Sequence, residues 1–175
     1  MVNNCEYGDL KISGSGSAGG GRYDVVSISG SGKITGDVNC EKFNISGSGK
    51  VEGTVTTNIF KISGSSRING DLNCVNGSIS GSGSILGSVF ANKFSVSGSE
   101  TIGGSFKGEE FEMSGSGKVE GKINSVSVKL YGSINVGQGI EGEMITIKGA
   151  IKTPGMINGD EVNIELNGGG EVDEI

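Results

Sequence analysis

The sequence predicts an all-β fold: a single-stranded, right-handed parallel β-helix, or β-solenoid, of about nine coils with a triangular cross-section. Three observations predict it. A segment of the form Ile-Ser-Gly-Ser-Gly returns every 17 residues, and the apolar residues around it alternate with period two. Glycine makes up 35 of the 175 residues, yet it follows no collagen period and is accompanied by only one proline, Pro154.

The first residue of the segment falls at Ile28, Ile45, Ile62, Ile79, Val96, Met113, Leu130, Ile147 and Ile164, each step being 17 residues. An earlier copy begins at Ile12, 16 residues before Ile28, so the register slips by one within Gly19-Gly20-Gly21, where a bend is cheap. The repeat array then runs from Leu10 to Leu166, with residues 1–9 as an N-terminal extension and 167–175 as a C-terminal tail.

Taking that first residue as offset 0, aliphatic residues return at offset 6 (Ile34, Val51, Ile68, Ile85) and offset 10 (Val38, Val55, Leu72, Val89). Offset 15 carries Phe43, Phe60, Phe94 and Phe111, then Val128 and Ile145, while offset 12 holds small residues such as Cys40, Thr57, Cys74 and Ala91. Offset 8 is nearly always Gly, from Gly36 to Gly121. No stretch keeps a 3.6-residue period for the length of a helix, so each copy reads as short strands joined at glycine corners.

One such copy cannot bury its few apolar residues, but copies stacked about 4.8 Å apart with parallel hydrogen bonding share one continuous interior. Seventeen residues at about 3.3 Å each give a coil about 56 Å around, enough for three short sides, and nine coils give a rod about 40 Å long. Right-handed winding follows from the strong preference of strand-crossover-strand connections. Gly77 interrupts the Phe column between Phe60 and Phe94, which predicts a local void or rings leaning inward.

The chain has no His and no Trp, which excludes imidazole acid-base chemistry, His-Asp relays and Cys/His zinc sites. No catalytic residue, cofactor or metal is expected, and an enzyme such as a solenoid acyltransferase would need His and a six-residue period. A formal charge of −6 works against nucleic acid and anionic lipid as partners. No run approaches the roughly 18 apolar residues of a membrane span, and the start lacks the basic and apolar regions of an export signal. A soluble cytoplasmic protein is expected. Cys5, Cys40 and Cys74 are an odd number and suit reduced thiols; Cys40 and Cys74 lie two coils apart with Thr57 between, beyond disulfide reach. The similarity of Asn4-Cys5-Glu6 to Asn39-Cys40-Glu41 places Cys5 in the same column of a looser first coil.

Several short motifs carry less than they suggest. Gly14-Ser15-Gly16-Ser17-Ala18-Gly19 satisfies the dinucleotide fingerprint, but strand patterning resumes after it where a helix would be needed. Gly30-Ser31-Gly32-Lys33 and Gly47-Ser48-Gly49-Lys50 lack the hydroxyl residue and spacing of a phosphate loop. Offset 5 stacks Lys33, Lys50 and Arg67, with Lys118 and Lys152 later, as a basic ridge that Glu52, Glu120, Asp37 and Asp71 would neutralise. The acidic cluster Glu109, Glu110 and Glu112 reads as a solvated corner. Serines at offsets 1 and 3, such as Ser46 and Ser48, line a glycine corner; the alternative is a regular hydroxyl surface for water or glycan.

The first and last coils expose unpaired N–H and C=O groups and an apolar cross-section, and the sequence around them holds no obvious cap. Leu10, Ile12, Val25 and Val26 at one end, and Ile157, Val162, Ile164 and Leu166 at the other, are therefore the candidate residues for end-to-end self-association.

Lys33-Ile-Thr-Gly-Asp-Val, Lys50-Val-Glu-Gly-Thr-Val, Arg67-Ile-Asn-Gly-Asp-Leu and Lys118-Val-Glu-Gly-Lys-Ile, each preceded by a Ser-Gly-Ser-type segment, resemble the bactofilins, polymer-forming cytoskeletal proteins of bacteria. The likeness spans nearly the whole chain. It implies a right-handed triangular β-helix that assembles end to end into filaments without nucleotide, a cytoplasmic scaffold in cell shape, envelope or motility organisation. It also implies itself as main partner, with other scaffold or envelope-associated proteins besides. The family's membrane-targeting N-terminus and its basic or Pro-rich tails have no counterpart here, which leaves membrane association doubtful. The competing expectation is a surface-binding solenoid, adhesin-like or glycan-binding, against which the absent export signal counts.

Overall fold

The computed structural model describes residues 7–175. Its strands are β1 (Leu10–Ile12), β2 (Ser15–Ile28), β3 (Ser31–Ile45), β4 (Ser48–Val51), β5 (Val55–Ile62), β6 (Ser65–Ile68) and β7 (Leu72–Ile79). They continue as β8 (Ser82–Ile85), β9 (Val89–Val96), β10 (Ser99–Ile102), β11 (Phe106–Val119), β12 (Ile123–Val136), β13 (Ile140–Leu166) and β14 (Glu171–Glu174). Every pairing among the described residues is parallel, and none of these residues is helical. From Gly21 to Lys152 every strand-paired residue partners the one 17 places away: Val38 with Val55, Val55 with Leu72, Leu72 with Val89, Val89 with Phe106, Phe106 with Ile123, Ile123 with Ile140. The chain is a β-solenoid of about ten turns.

Three flat runs make up each coil. In the coil beginning at Ile45 the inward residues are Gly49 and Val51 on the first side, Val55 and Thr57 on the second, Phe60 and Ile62 on the third. The backbone turns at the Ser-Gly pair after offset 0, at the glycine of offset 8, and at offset 13, where Glu41, Asn58 and Val75 drop out of the ladder that their neighbours keep. This last corner explains why the apolar spacing changes from two residues to three between offsets 12 and 15. The one-residue slip lies between Gly19 and Gly21, as expected.

The core is a set of columns rather than a cluster. Ile28, Ile45, Ile62, Ile79 and Val96 succeed one another at 0–2 % exposure, and each fully buried aliphatic or aromatic side chain contributes about 1.5–3 kcal/mol. Phe43 stacks on Phe60 with ring centroids 5.6 Å apart, and Phe94 on Phe111 at 6.3 Å. At the gap between them the Phe94 ring leans over Gly77 and takes the space a β-carbon would need, beside a hollow of about 480 Å³ lined by Gly77, Phe94 and Phe111.

Two expectations need correction. The stack is about ten turns, not nine, because residues 167–175 are no separate tail: β14 pairs with β13, Lys152 against Glu171 and Thr153 against Val172, after an insertion at Gly168–Gly170. Here Gly168 and Gly169 have φ of +69° and +92°, which lets the extra residues loop out. At the other end Gly8 already accepts a hydrogen bond from Asp24 N–H (3.2 Å), so the stack begins before Leu10.

Candidate functional site

Among the described residues the pairing stops at the two ends of the stack. At the N-terminal end β1 lies on β2, Leu10 against Val26 and Ile12 against Ile28. This covering buries Val26 completely and leaves Val25 and Leu10 half-buried and Ile12 at 9 % exposure. At the C-terminal end β14 covers β13 only from Lys152 to Met156, so the stretch from Ile157 to Leu166 has no strand over it among the described residues. Ile157 is nonetheless 1 % exposed, Val162 and Ile164 are half-buried, and Leu166 is 39 % exposed. Of the eight end residues singled out in the sequence, Val26 and Ile157 thus have almost no surface to offer. The other six lie on the two rims. Leu10 and Val162 belong to one column and Ile12 and Ile164 to the next, so the rims carry the same apolar pattern.

Charge is unevenly spread over the ends. Asp160, Glu161, Glu165, Glu171, Asp173 and Glu174 are all exposed near the C-terminal rim, with Glu165 3.5 Å from Lys148. The N-terminal rim holds the Lys11–Asp9 pair at 3.2 Å and Arg22, whose guanidinium donates to the Tyr7 hydroxyl at 3.4 Å.

Along the sides the basic ridge is neutralised differently from expectation. Lys33 and Lys50 both reach Glu52, at 2.8 and 3.5 Å, and Lys118 reaches Glu120 at 2.6 Å. The hydrogen bond from Lys33 leads the causes that hold the Glu52 carboxyl below its usual range. Asp37 and Asp71 take no part. Asp37 Oδ1 accepts from Thr54 N–H at 2.8 Å and Asp71 Oδ1 from Ser88 N–H at 2.7 Å. The same role passes up the corner to Ser88 and Ser105, whose hydroxyls accept from the N–H of Ser105 and Lys122. Between Ser31, Ser48 and Ser65 and the cations Lys33, Lys50 and Arg67 runs a shallow trough of about 440 Å³. The fingerprint-like Gly14–Gly19 and the Gly30–Lys33 segment run into β2 and β3, not into a helix.

Small residues at offset 12 leave a groove of about 570 Å³ along Cys40, Thr57, Cys74 and Ala91, edged by Asn58, Asn73 and Asn92. Val75 and Phe90 stand in it at 41 % and 43 % exposure, which the sequence pattern did not single out. Cys40 donates to Thr57 Oγ1 at 3.6 Å, and burial pushes its thiol up; burial pushes Cys74 up to about 12. Both are unlinked thiols, and Cys5 lies outside the described residues.

One inward column went unread in the sequence. Offset 4 points into the core on Gly32, Gly49, Ser66, Glu100, Ile134 and Ile151. Its signal was present in Ile134 and Ile151, which stand two residues before the offset-6 column, but the glycines at the other copies mask it.

Among the described residues no three His, Cys, Asp or Glu side chains gather in a way that could hold a metal ion, and no helix is long and apolar enough to cross a membrane. Comparison with protein-family models, with curated proteins and with solved structures finds no match for this chain.

Proposed function

We propose that this protein is a structural scaffold, a solenoid that polymerises end to end into filaments without nucleotide and acts in the cytoplasm in shaping or organising the cell. The observation that carries this reading is the agreement of the two rims. A second copy placed as the next coil lays Leu10 over Val162 and Ile12 over Ile164, continuing both columns, and gives the strand edge at Ile157–Leu166 a partner for its N–H and C=O groups. The same register sets Asp9 against Glu161, a like-charge contact that salt screens.

Electron microscopy of the purified chain tests it. Filaments are expected with and without ATP or GTP, longer at raised salt, and shortened or abolished by Ile12→Asp or Ile164→Asp while the β-rich circular dichroism survives. Discrete particles under every condition would sink the reading.

A second reading, a glycan-binding solenoid, is favoured by the groove in which exposed Phe90 stands among Asn58, Asn73 and Asn92, an apolar face bordered by amides. It predicts oligosaccharide binding that Phe90→Ala removes.

A further inference from the structure

We infer that Ser66, Gly83 and Glu100 form an internal polar site that holds one water molecule between the Ser66 hydroxyl and a neutral Glu100 carboxyl. Glu100 is 2 % exposed and Ser66 7 %, and neither carboxylate oxygen nor the serine Oγ has a hydrogen-bond partner. The other buried polar side chains are satisfied locally. Thr57 donates to the Ile59 carbonyl at 3.1 Å, Ser125 to that of Ser127 at 3.1 Å, and Thr153 to that of Gly155 at 3.3 Å.

The two unsatisfied groups converge. Ser66, Gly83 and Glu100 succeed one another in the offset-4 column, on β6, β8 and β10. From the position a β-carbon would take on Gly83, the Ser66 carbonyl and hydroxyl oxygens both lie at 2.7 Å and Glu100 Oε2 at 3.0 Å. Elsewhere in the column hydrophobic side chains claim that space: Ile28 at Gly32, Ile45 at Gly49 and Met113 at Gly117. At Gly83 the nearest atoms are all oxygens, and the Glu100 coil carries the smaller Val96 at offset 0. A neutral acid and a hydroxyl each donate once and can each accept, and a buried water supplies the missing partners for both.

Nothing charged faces the carboxyl. On β8 there is no titratable residue; on β11 Lys118 is turned outward and tied to Glu120, while Lys107, Glu109, Glu110 and Glu112 are exposed; on β9 Lys93 and on β6 Arg67 are exposed too. Burial alone raises Glu100 from 4.5 to about 8. The folded state therefore holds this proton more tightly than the unfolded chain. The stability it contributes is complete below about pH 4.5 and is lost as pH rises through about 8, by up to about tenfold in the unfolding equilibrium constant per pH unit. The site is independent of any polymerisation.

Infrared spectroscopy and denaturant titration of the full chain between pH 4 and 9 test the site, with Glu100→Gln and Glu100→Gly as variants. The second restores the residue found at Gly32, Gly49, Gly83 and Gly117. A carboxylic-acid C=O band that persists at pH 6.5 and vanishes in both variants is expected, together with a wild-type loss of stability on going alkaline that either variant abolishes. A crystal structure should show one solvent peak within hydrogen-bonding distance of Ser66 Oγ and Glu100. An ionised Glu100 at pH 6.5, a dry slot, or stabilisation by sodium or potassium chloride over tetramethylammonium chloride at equal ionic strength would overturn the assignment.

Discussion

Gly81 sits at a corner where the preceding coil passes so close that a β-carbon would run into the Gly64 carbonyl oxygen, and Gly98 stands in the same relation to Gly81. The column is glycine because neighbouring backbones occupy the room that a side chain needs; at Gly115, Gly132 and Gly149 a positive φ adds to the demand. Gly81→Ala is expected to cost about 1–3 kcal/mol through displaced backbone. Ser82→Ala, one residue on and exposed, should stay within about 0.5 kcal/mol. Denaturant melts of the two variants decide it, and equal stability would show that the corner can relax. The Ser-Gly-Ser repeat is thus more than a compositional bias: its glycine keeps adjacent coils in contact, and its serines stay outside with their N–H groups bonded to the coil before, as Ser48 N–H bonds to Gly30 O at 2.9 Å.

At the scale of one corner, the run from Asp37 through Thr54, Asp71 and Ser88 to Ser105 does for a turn what a cap does for a helix end. Each side-chain oxygen accepts the N–H of its counterpart one coil later, including Asp71 N–H to Thr54 Oγ1 at 3.4 Å. Removing the acceptor in Asp71→Ala leaves Ser88 N–H without its partner and is expected to cost about 1–3 kcal/mol, whereas Asp71→Asn keeps an oxygen in place and should lose less than half of that. Thermal melts of both at neutral pH, with amide exchange at Ser88, report the difference. If Asn were as damaging as Ala, charge rather than the acceptor would be what matters. The residue types at this position looked like mere counter-charges for the Lys33–Lys50 ridge. Spacing alone does not tell whether a carboxylate turns toward a neighbouring ammonium or back onto its own corner, since both lie within reach of one short side chain.

For the whole molecule, each coil touches mainly the one before and the one after, so stability approximates a sum over coils and their interfaces. Deleting Ser46–Ile62 joins Ile45 to Ser63 and removes one complete 17-residue turn without changing any column. The shortened chain is expected to keep its β-rich circular dichroism and lose roughly a tenth of its denaturant m-value. Deleting one residue fewer leaves an 18-residue coil whose surplus residue must be looped out away from any glycine slip, and is expected to be clearly less stable than the 17-residue deletion. If both deletions behaved alike, the stacking account would fail. On the proposed function, a further copy docked at either rim would add one more interface to the same sum.

The 17-residue period, its slip at Gly19–Gly21 and the apolar offsets were enough to determine coil length, the main columns and the pairing of successive coils up to Lys152. They are properties of the chain order, and a parallel stack maps chain order directly onto height. The direction of individual side chains was not encoded that way. That Glu100 points inward beside Ser66, that Asp71 bonds to backbone, that residues 171–174 cover part of the last coil, and that Val26 and Ile157 are buried all depend on where the three corners fall. A corner reverses the inward-outward alternation, and only packing of all three sides around one interior sets its phase.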